Sequence, residues 1–322
     1  MNTAINPILN KGMPRLLVIR GGALGDFILS LPVMAALKRE IQDSQIEIMG
    51  YPRIAALAVE RVYAEKVRSI DYGPLSRFYG ADSDLPEELC AYFASFHQII
   101  SFFYDPDDIF HGNLRKAGAR HILQLPHKPD ENKPLPASEQ FARGLEKIGI
   151  FPGDFAPRVY STVQDQAEAA KILGPKPGFR VVIHPGSGSP SKNWPLENWV
   201  EIIQWLLKRT PAQIALVFGE VEIETKAAFA RFAPGPRVKV LDELPLPVLA
   251  AALGTATVFV GHDSGISHLA AAVGSPVITL FGPTNPVIWA PPGACVIRKG
   301  QSLTQIVTEE VQIALAKFLR LG

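Results

Sequence analysis

Gly261-His-Asp-Ser-Gly-Ile-Ser-His-Leu-Ala-Ala-Ala-Val-Gly-Ser-Pro-Val-Ile-Thr-Leu-Phe-Gly-Pro-Thr-Asn-Pro286 decides how this chain is read. It joins a polar turn, a helix of small residues, an apolar strand and a second Gly/Pro turn. Val258-Phe-Val260, just before it, is apolar enough for a central strand. Asp263-Ser264-Gly265 then reads as the cap of the next helix, because an Asp or Ser oxygen accepts from the orphan amides of a first turn. Ser267, His268 and the remaining free amides fall at the carboxyl end of a parallel strand. Open α/β sheets bind ligands there, and a helix start favours an anion such as a diphosphate. The plainer alternative is an ordinary strand–helix unit whose Asp is only a cap.

Outward from this stretch, strand and helix patterns alternate at both ends of the chain. Arg15 to Ile19 reads as a buried strand, Gly21-Gly22 and Gly25-Asp26 as a turn, and Phe27 to Glu40 as a helix with Pro32 near its first turn. Gln45 to Met49 and Gln98 to Tyr104 read as strands, and Ala137 to Ile148 as a helix. Leu125 to Pro136 reads as an exposed loop of the first domain. Pro and Gly crowd Phe151 to Gly178, a texture that reads as an interdomain connection. Beyond it come strands at Arg180 to His184, Gln213 to Phe218 and Val238 to Val240. Helices read at Leu196 to Lys208, Glu222 to Phe232 and Pro247 to Leu253. Leu303 to Leu319 reads as a last helix, a candidate to pack back on the first domain. Strands separated by helices imply parallel sheets, so the fold class is α/β with two Rossmann-like domains, 1–160 and 161–322.

Composition narrows the function. The 322 residues are 47% hydrophobic and 20% charged, as expected of a globular protein. A formal net charge of +1 lacks the basic excess of a nucleic-acid binder. No apolar run reaches a membrane span, and Met1 to Lys11 has no signal core, so a cytoplasmic location is expected. The two cysteines, Cys90 and Cys295, lack metal-ligand or redox spacing and read as small apolar residues.

Three more constellations bear on chemistry. Arg20-Gly-Gly-Ala-Leu-Gly-Asp26 follows a strand and opens a helix, and its glycines let backbone approach a ligand closely. It is not the dinucleotide fingerprint. Asp26 is either a helix cap or a carboxylate able to take a proton from a hydroxyl. His184-Pro-Gly-Ser-Gly-Ser-Pro-Ser-Lys-Asn-Trp-Pro195 places Ser187, Ser189 and Lys192 where they would cradle a phosphate, without being a P-loop. Trp194 is either a wall for a base or sugar, or a core aromatic. Past the strand ending at Phe218, Glu220, Glu222 and Glu224 compete for the hydroxyls of a ribose. Asp105-Pro-Asp-Asp108 contains an Asp-x-Asp match, but a turn rich in Asp and Pro is the preferred account.

Taken together these motifs resemble glycosyltransferase family 9, the ADP-heptose:lipopolysaccharide heptosyltransferases. The matching segments are Val18 to Ile28, His184 to Pro195, and Gly261 to Ala272 through Phe281-Gly-Pro-Thr284. The resemblance implies a GT-B fold, with two Rossmann-like domains facing across a cleft, the acceptor in the first and the donor in the second. It implies inverting transfer without a metal or cofactor, from a nucleotide-sugar donor such as ADP-heptose to a lipopolysaccharide core or lipid A precursor. Such a glycolipid acceptor implies peripheral contact with the inner membrane, and Arg61, Lys66, Arg68, Arg115, Lys116 and Arg120 are candidates to meet anionic sugars or lipid. Asp26 takes the family's catalytic-base position, beside an acceptor loop of Gly21, Gly22 and Gly25. Lys192 takes its diphosphate position. Asp263, Ser264, Gly265 and His268 match its donor-site turn, and Glu224 or Glu222 its ribose carboxylate. Ser264 stands where the family usually has Thr, and His262 where Asn is common. A sugar-nucleotide 2-epimerase and a non-catalytic nucleotide-sugar binder remain as alternatives.

Overall fold

The computed structural model describes residues 13–81, 83–175, 178–219, 226–227, 229, 232 and 235–321. They fall into two compact units. The first runs to Asp130 and resumes over Ala137–Pro157; the second takes Glu131–Pro136 and the chain from Arg158 on. The loop read as belonging wholly to the first domain is therefore divided. Its Glu131 end belongs with the second unit, where Trp289 Nε1 donates to Glu131 Oε1 at 3.2 Å.

In the first unit, strands β1 (Arg15–Arg20), β2 (Gln45–Gly50), β3 (Lys66–Ser69), β4 (Gln98–Ser101) and β5 (Ile122–Gln124) form a parallel sheet in the order β3-β2-β1-β4-β5. β1 is the topological switch point, since the chain winds to one side through β2 and to the other through β4. The helix after it spans Leu24–Glu40, three residues longer at its start than the pattern suggested. Pro32 therefore lies in the helix interior, not its first turn, and Gly25 lies inside the helix. The turn itself shrinks to Gly21, Gly22 and Ala23. Gly22 has φ +94°, and a Cβ there would sit 2.9 Å from Asp26 Oδ2, so only glycine fits.

In the second unit, β6 (Arg180–His184), β7 (Gln213–Phe218), β8 (Val238–Asp242), β9 (Val258–His262), β10 (Val277–Phe281) and β11 (Cys295–Arg298) form a parallel sheet in the order β11-β10-β9-β6-β7-β8. The central strands are buried on both faces and read as continuous apolar runs, as a doubly wound sheet requires. The switch point lies between β6 and β9, and His184 pairs in register with Gly261. The helix Thr308–Leu319 contributes Val311, Leu315 and Leu319 to this unit's own core cluster, where the sequence left it free to return to the first. The segment read as an interdomain connection and the lead-in to a second domain holds a helix, Val163–Leu173. Its start is fixed by a reciprocal cap: Asp165 N donates to Thr162 Oγ1, and Thr162 N to Asp165 Oδ2.

One buried cluster ties down the loop after β4. His111, 1% exposed, has Nδ1 2.7 Å from Asp105 Oδ2 and Nε2 2.8 Å from Ser101 Oγ. Burial pushes the His111 imidazole below its ordinary pKa despite the neighbouring Asp105. Burial raises Asp105, but the backbone N–H groups of His111 and Phe110 and the imidazole outweigh it and hold the carboxyl below its usual range. Both groups act in the same direction on stability. The unfolded chain takes up a proton at the histidine as pH falls below about 6.5, while folded His111 resists. The Asp105 contribution is present above the ordinary carboxylate value and is lost as pH falls through the lowered one. The thermal midpoint should therefore fall on acidification, first below about pH 6.5 and again below about pH 4. His111→Gln should flatten the first of these steps, measured by thermal denaturation from pH 8 to 5; equal slopes in the two proteins would contradict the assignment.

Candidate functional site

At the carboxyl ends of β6 and β9 two loops lie side by side. One is Pro185 to Pro195; the other is Asp263-Ser264 and the start of the helix Gly265–Ala272. They are joined by the imidazole of His262. Its Nε2 accepts from the Trp194 backbone N–H at 2.9 Å, and its Nδ1 lies 3.0 Å from the Gly186 carbonyl. An amide N–H only donates and a carbonyl only accepts, so the pair fixes the tautomer with the proton on Nδ1. Trp194 is 2% exposed, its indole donates to the Ile306 carbonyl at 3.0 Å, and it packs edge-on against Trp199. It is a core aromatic, and the reading of it as a ligand wall is withdrawn.

Above this joint sits an ion pair. Lys192 Nζ lies 2.7 Å from Asp263 Oδ2, and Thr284 Oγ1 donates to the same oxygen at 2.8 Å. The Asp263 side chain is 7% exposed and the Lys192 side chain 30%, so the carboxylate is held inside while the ammonium reaches solvent. Asp263 thus anchors the lysine across two loops; it is not the helix cap. Ser264 is the cap: its Oγ accepts from Ser267 N at 3.4 Å. That leaves the first-turn N–H groups of Gly265 and Ile266 with no acceptor in their own helix. An anchored cation and a helix start at one switch point have the chemistry of an anion site. Of the other residues expected here, His268 is buried within the helix. Ser187 Oγ lies 2.6 Å from Asn193 Oδ1 and 2.8 Å from the Ser189 carbonyl, so that hydroxyl braces its own loop. Ser189 Oγ is 3.0 Å from Ser191 Oγ. Glu220, Glu222 and Glu224 lie outside the described residues.

The first unit carries Asp26 at its own switch point. Asp26 Oδ2 accepts from Ala23 N at 3.1 Å, so it does serve the helix start, as the cap reading held. The same side chain is 29% exposed and is oriented by Arg20, a residue the sequence reading gave no role. Arg20 is buried, donates twice to the Asp26 carbonyl (3.2 and 2.9 Å) and once to the His127 carbonyl (3.0 Å), and lies 3.7 Å from Asp26 Oδ1. Its guanidinium sits 4.7 Å from the Phe102 ring centroid and 5.1 Å from that of Phe141. Burial lowers its pKa to about 10 against the raising effect of Asp26, so it stays cationic at neutral pH. A part-exposed carboxylate on a fixed backbone has the chemistry of a general base.

Two lookalikes are structural. Ser101, His111 and Asp105 have the spacing of a nucleophilic triad, but Ser101 is 0% exposed and no substrate reaches it. Asp105, Asp108 and His111 bring ligand atoms within 4.8 Å of one another. Those atoms are already committed: Asp105 accepts from Phe110 N and His111 N, and Asp108 grips Arg115 through contacts of 2.9 to 3.0 Å.

Two doubly wound parallel sheets, each with its polar loop at the switch point, are the architecture of GT-B glycosyltransferases. Residues 151–307 match the family model of glycosyltransferase family 9 (heptosyltransferase). The match takes in 157 of the 322 residues, a little under half of the chain. It is 42% identical over 109 residues to lipopolysaccharide heptosyltransferase 1 of Salmonella typhimurium, covering 34% of this chain and 33% of that protein. It is 26% identical over 296 residues to lipooligosaccharide heptosyltransferase 2 of Haemophilus influenzae, covering 84% of each. The chain spans about a third of the length of the first of these relatives. The solved structure of E. coli heptosyltransferase WaaC with ADP superposes with a TM-score of 0.70 at 19% identity, over 94% of this chain and 99% of that one. This last likeness concerns the fold.

His262→Ala should orphan the Trp194 N–H and the Gly186 carbonyl, each costing about 1–3 kcal/mol if left buried without a partner. A lowered thermal midpoint is expected, and an unchanged one would remove His262 as the joint between the loops.

Proposed function

We propose that this chain is an inverting glycosyltransferase that needs no metal. It moves a heptose-type sugar from ADP-heptose to a lipopolysaccharide core or lipid A precursor. The observation that carries the reading is the convergence of Lys192 and an uncapped pair of helix amides at the switch point of the second sheet. The diphosphate of the donor binds there. Lys192 and the N–H groups of Gly265 and Ile266 take up the charge that develops as the glycosidic bond to phosphate breaks. Fixed donors of this kind stabilise a leaving group without reorganising at the moment of reaction. They supply the positive charge that a divalent ion supplies in other transferases. The match to a heptosyltransferase family model, and the ADP in the WaaC structure of like fold, support the choice of nucleotide and sugar.

Asp26 accepts the proton of the acceptor hydroxyl. The hydroxyl oxygen attacks the anomeric carbon from the face opposite the phosphate, a C–O bond forms, and the C–O bond to the β-phosphate breaks with its electron pair on the leaving diphosphate. Configuration at the anomeric carbon inverts. Arg20 fixes the backbone that carries Asp26, through its two hydrogen bonds to the Asp26 carbonyl. A glycolipid acceptor places the reaction at the cytoplasmic face of the inner membrane; no described helix is long and apolar enough to cross a bilayer, which fits peripheral contact.

Asp26→Asn keeps the size of the side chain and an oxygen for Ala23 N, so the fold and ADP binding should persist. Transfer to a defined lipid A precursor, followed by mass spectrometry, should fall by ~10²–10⁴. A fully active Asp26→Asn protein would sink the assigned base, and a rearranged free sugar in place of a glycolipid product would point to an epimerase. The wild-type rate should be unchanged by EDTA; loss of activity in chelator, restored by Mg²⁺ or Mn²⁺, would overturn metal independence.

A further inference from the structure

The six basic residues that the sequence offered for contact with anionic lipid or sugar do not act as one patch. Arg61 Nη1 donates to the carbonyls of Ala56 and Val59 and is spent on its own turn. Arg68 lies 4.2 Å from the Tyr92 ring centroid and 3.8 Å from Glu88, so a carboxylate already answers it. Arg115 and Arg120 differ. Together with Lys147, which the sequence did not single out, they line one groove of about 360 Å³ in the first unit. Ile122, Leu123 and Gln124, the whole of β5, complete its lining.

Three elements bring these cations together. Arg115 lies in the last turn of the helix Ile109–Lys116, Arg120 precedes β5, and Lys147 sits in the turn Gly144–Ile148. All three are exposed. Arg115 is held in place by Asp108, which also accepts from Gln124 Nε2 at 3.3 Å. Among the described residues that carboxylate is the acidic group hydrogen-bonded to the groove's lining, so three positive charges face one negative there.

The backbone adds to the same side. β5 is the edge strand of its sheet. His121 O accepts from Ile99 N, and Leu125 N donates to Ser101 O, so residues 121 and 125 address β4. Alternation along a strand then turns the N–H groups of Ile122 and Gln124 away from β4, toward the free edge. Exposed edge donors beside excess cations suit a ligand with several anionic oxygens and leave an apolar or cationic one without partners.

We propose that the groove formed by Arg115, Arg120 and Lys147 along the edge of β5 binds a phosphate-bearing group. This site is separate from the donor site, which lies in the other unit, and it does not rest on the reading of Asp26. A phospholipid headgroup and a free phosphate share the required chemistry, and the experiment distinguishes them.

The test uses the double variant Arg120→Gln/Lys147→Gln in the full chain. Both side chains are exposed, so its thermal midpoint should match the wild type. Arg115 is left alone because it braces Asp108. In one arm, flotation with vesicles of phosphatidylcholine containing phosphatidylglycerol is compared with vesicles of phosphatidylcholine alone. In the other, inorganic pyrophosphate is titrated while backbone resonances of Ile122 and Gln124 are followed. If the ligand is a lipid headgroup, the wild type floats with the anionic vesicles, and the variant partitions about 25-fold more weakly, two charges near an anionic surface each being worth about fivefold. If it is a free phosphate, pyrophosphate shifts both resonances in the wild type and not in the variant. Either result supports the groove. Failure of the wild type in both arms, or equal behaviour of wild type and variant, overturns it.

Discussion

The parallel pairing of β6 with β9 is the constraint on which the second unit's site depends. It brings two loops, nearly eighty residues apart in sequence, to the same edge, because His184 lies opposite Gly261. Pairing alone would leave the loops free to drift, and His262 removes that freedom by bonding to one of them at both ring nitrogens. The core tryptophan that follows in the chain then stands fixed, and Lys192, two residues earlier, is delivered to Asp263. Each step is ordinary: a ladder, a tautomer, a buried indole, an ion pair. Their order places a cation at a helix start, where an anion is stabilised most.

The first unit solves a related problem with the opposite sign. Here the group at the switch point is a carboxylate, and it is its backbone that is fixed. Arg20 does the fixing from inside, through carbonyl contacts and two aromatic faces, and leaves Asp26 partly in solvent. The Asp105–His111–Ser101 chain in the same unit shows how little residue type says without burial. It holds an acid, a base and a hydroxyl in line, yet the hydroxyl is sealed and the assembly serves to pin a loop.

Much of this was legible in the sequence. Apolar runs gave the central strands, and the Gly/Pro turns after β1, β6 and β9 marked the loops that carry Asp26, Lys192 and Asp263. Alternation gave two parallel sheets because nothing else accommodates that order of elements. What escaped did so for physical reasons. The helix Val163–Leu173 carries few apolar residues on a narrow face, and the neighbouring prolines masked it; the Thr162-to-Asp165 spacing of a capping box was the signal that could have found it. Leu24–Glu40 starts early because Asp26 caps from inside the helix, a geometry the pattern of apolar residues does not report. Trp194 read as either a ligand wall or a core aromatic, His262 had no role by type, and only their burial and partners assign both to the scaffold. Lys147 had no motif around it and joins Arg115 and Arg120 only through the fold.

The central claim is that Lys192 holds the diphosphate of a nucleotide donor. Calorimetric titration of ADP into the wild-type chain and into Lys192→Ala tests it most directly. A hydrogen bond to a charged group is worth about 1.5–3 kcal/mol, so the variant should bind about 10- to 150-fold more weakly while ADP binding by the wild type is plainly measurable. Equal affinities in the two proteins, or no binding of ADP to either, would contradict the account.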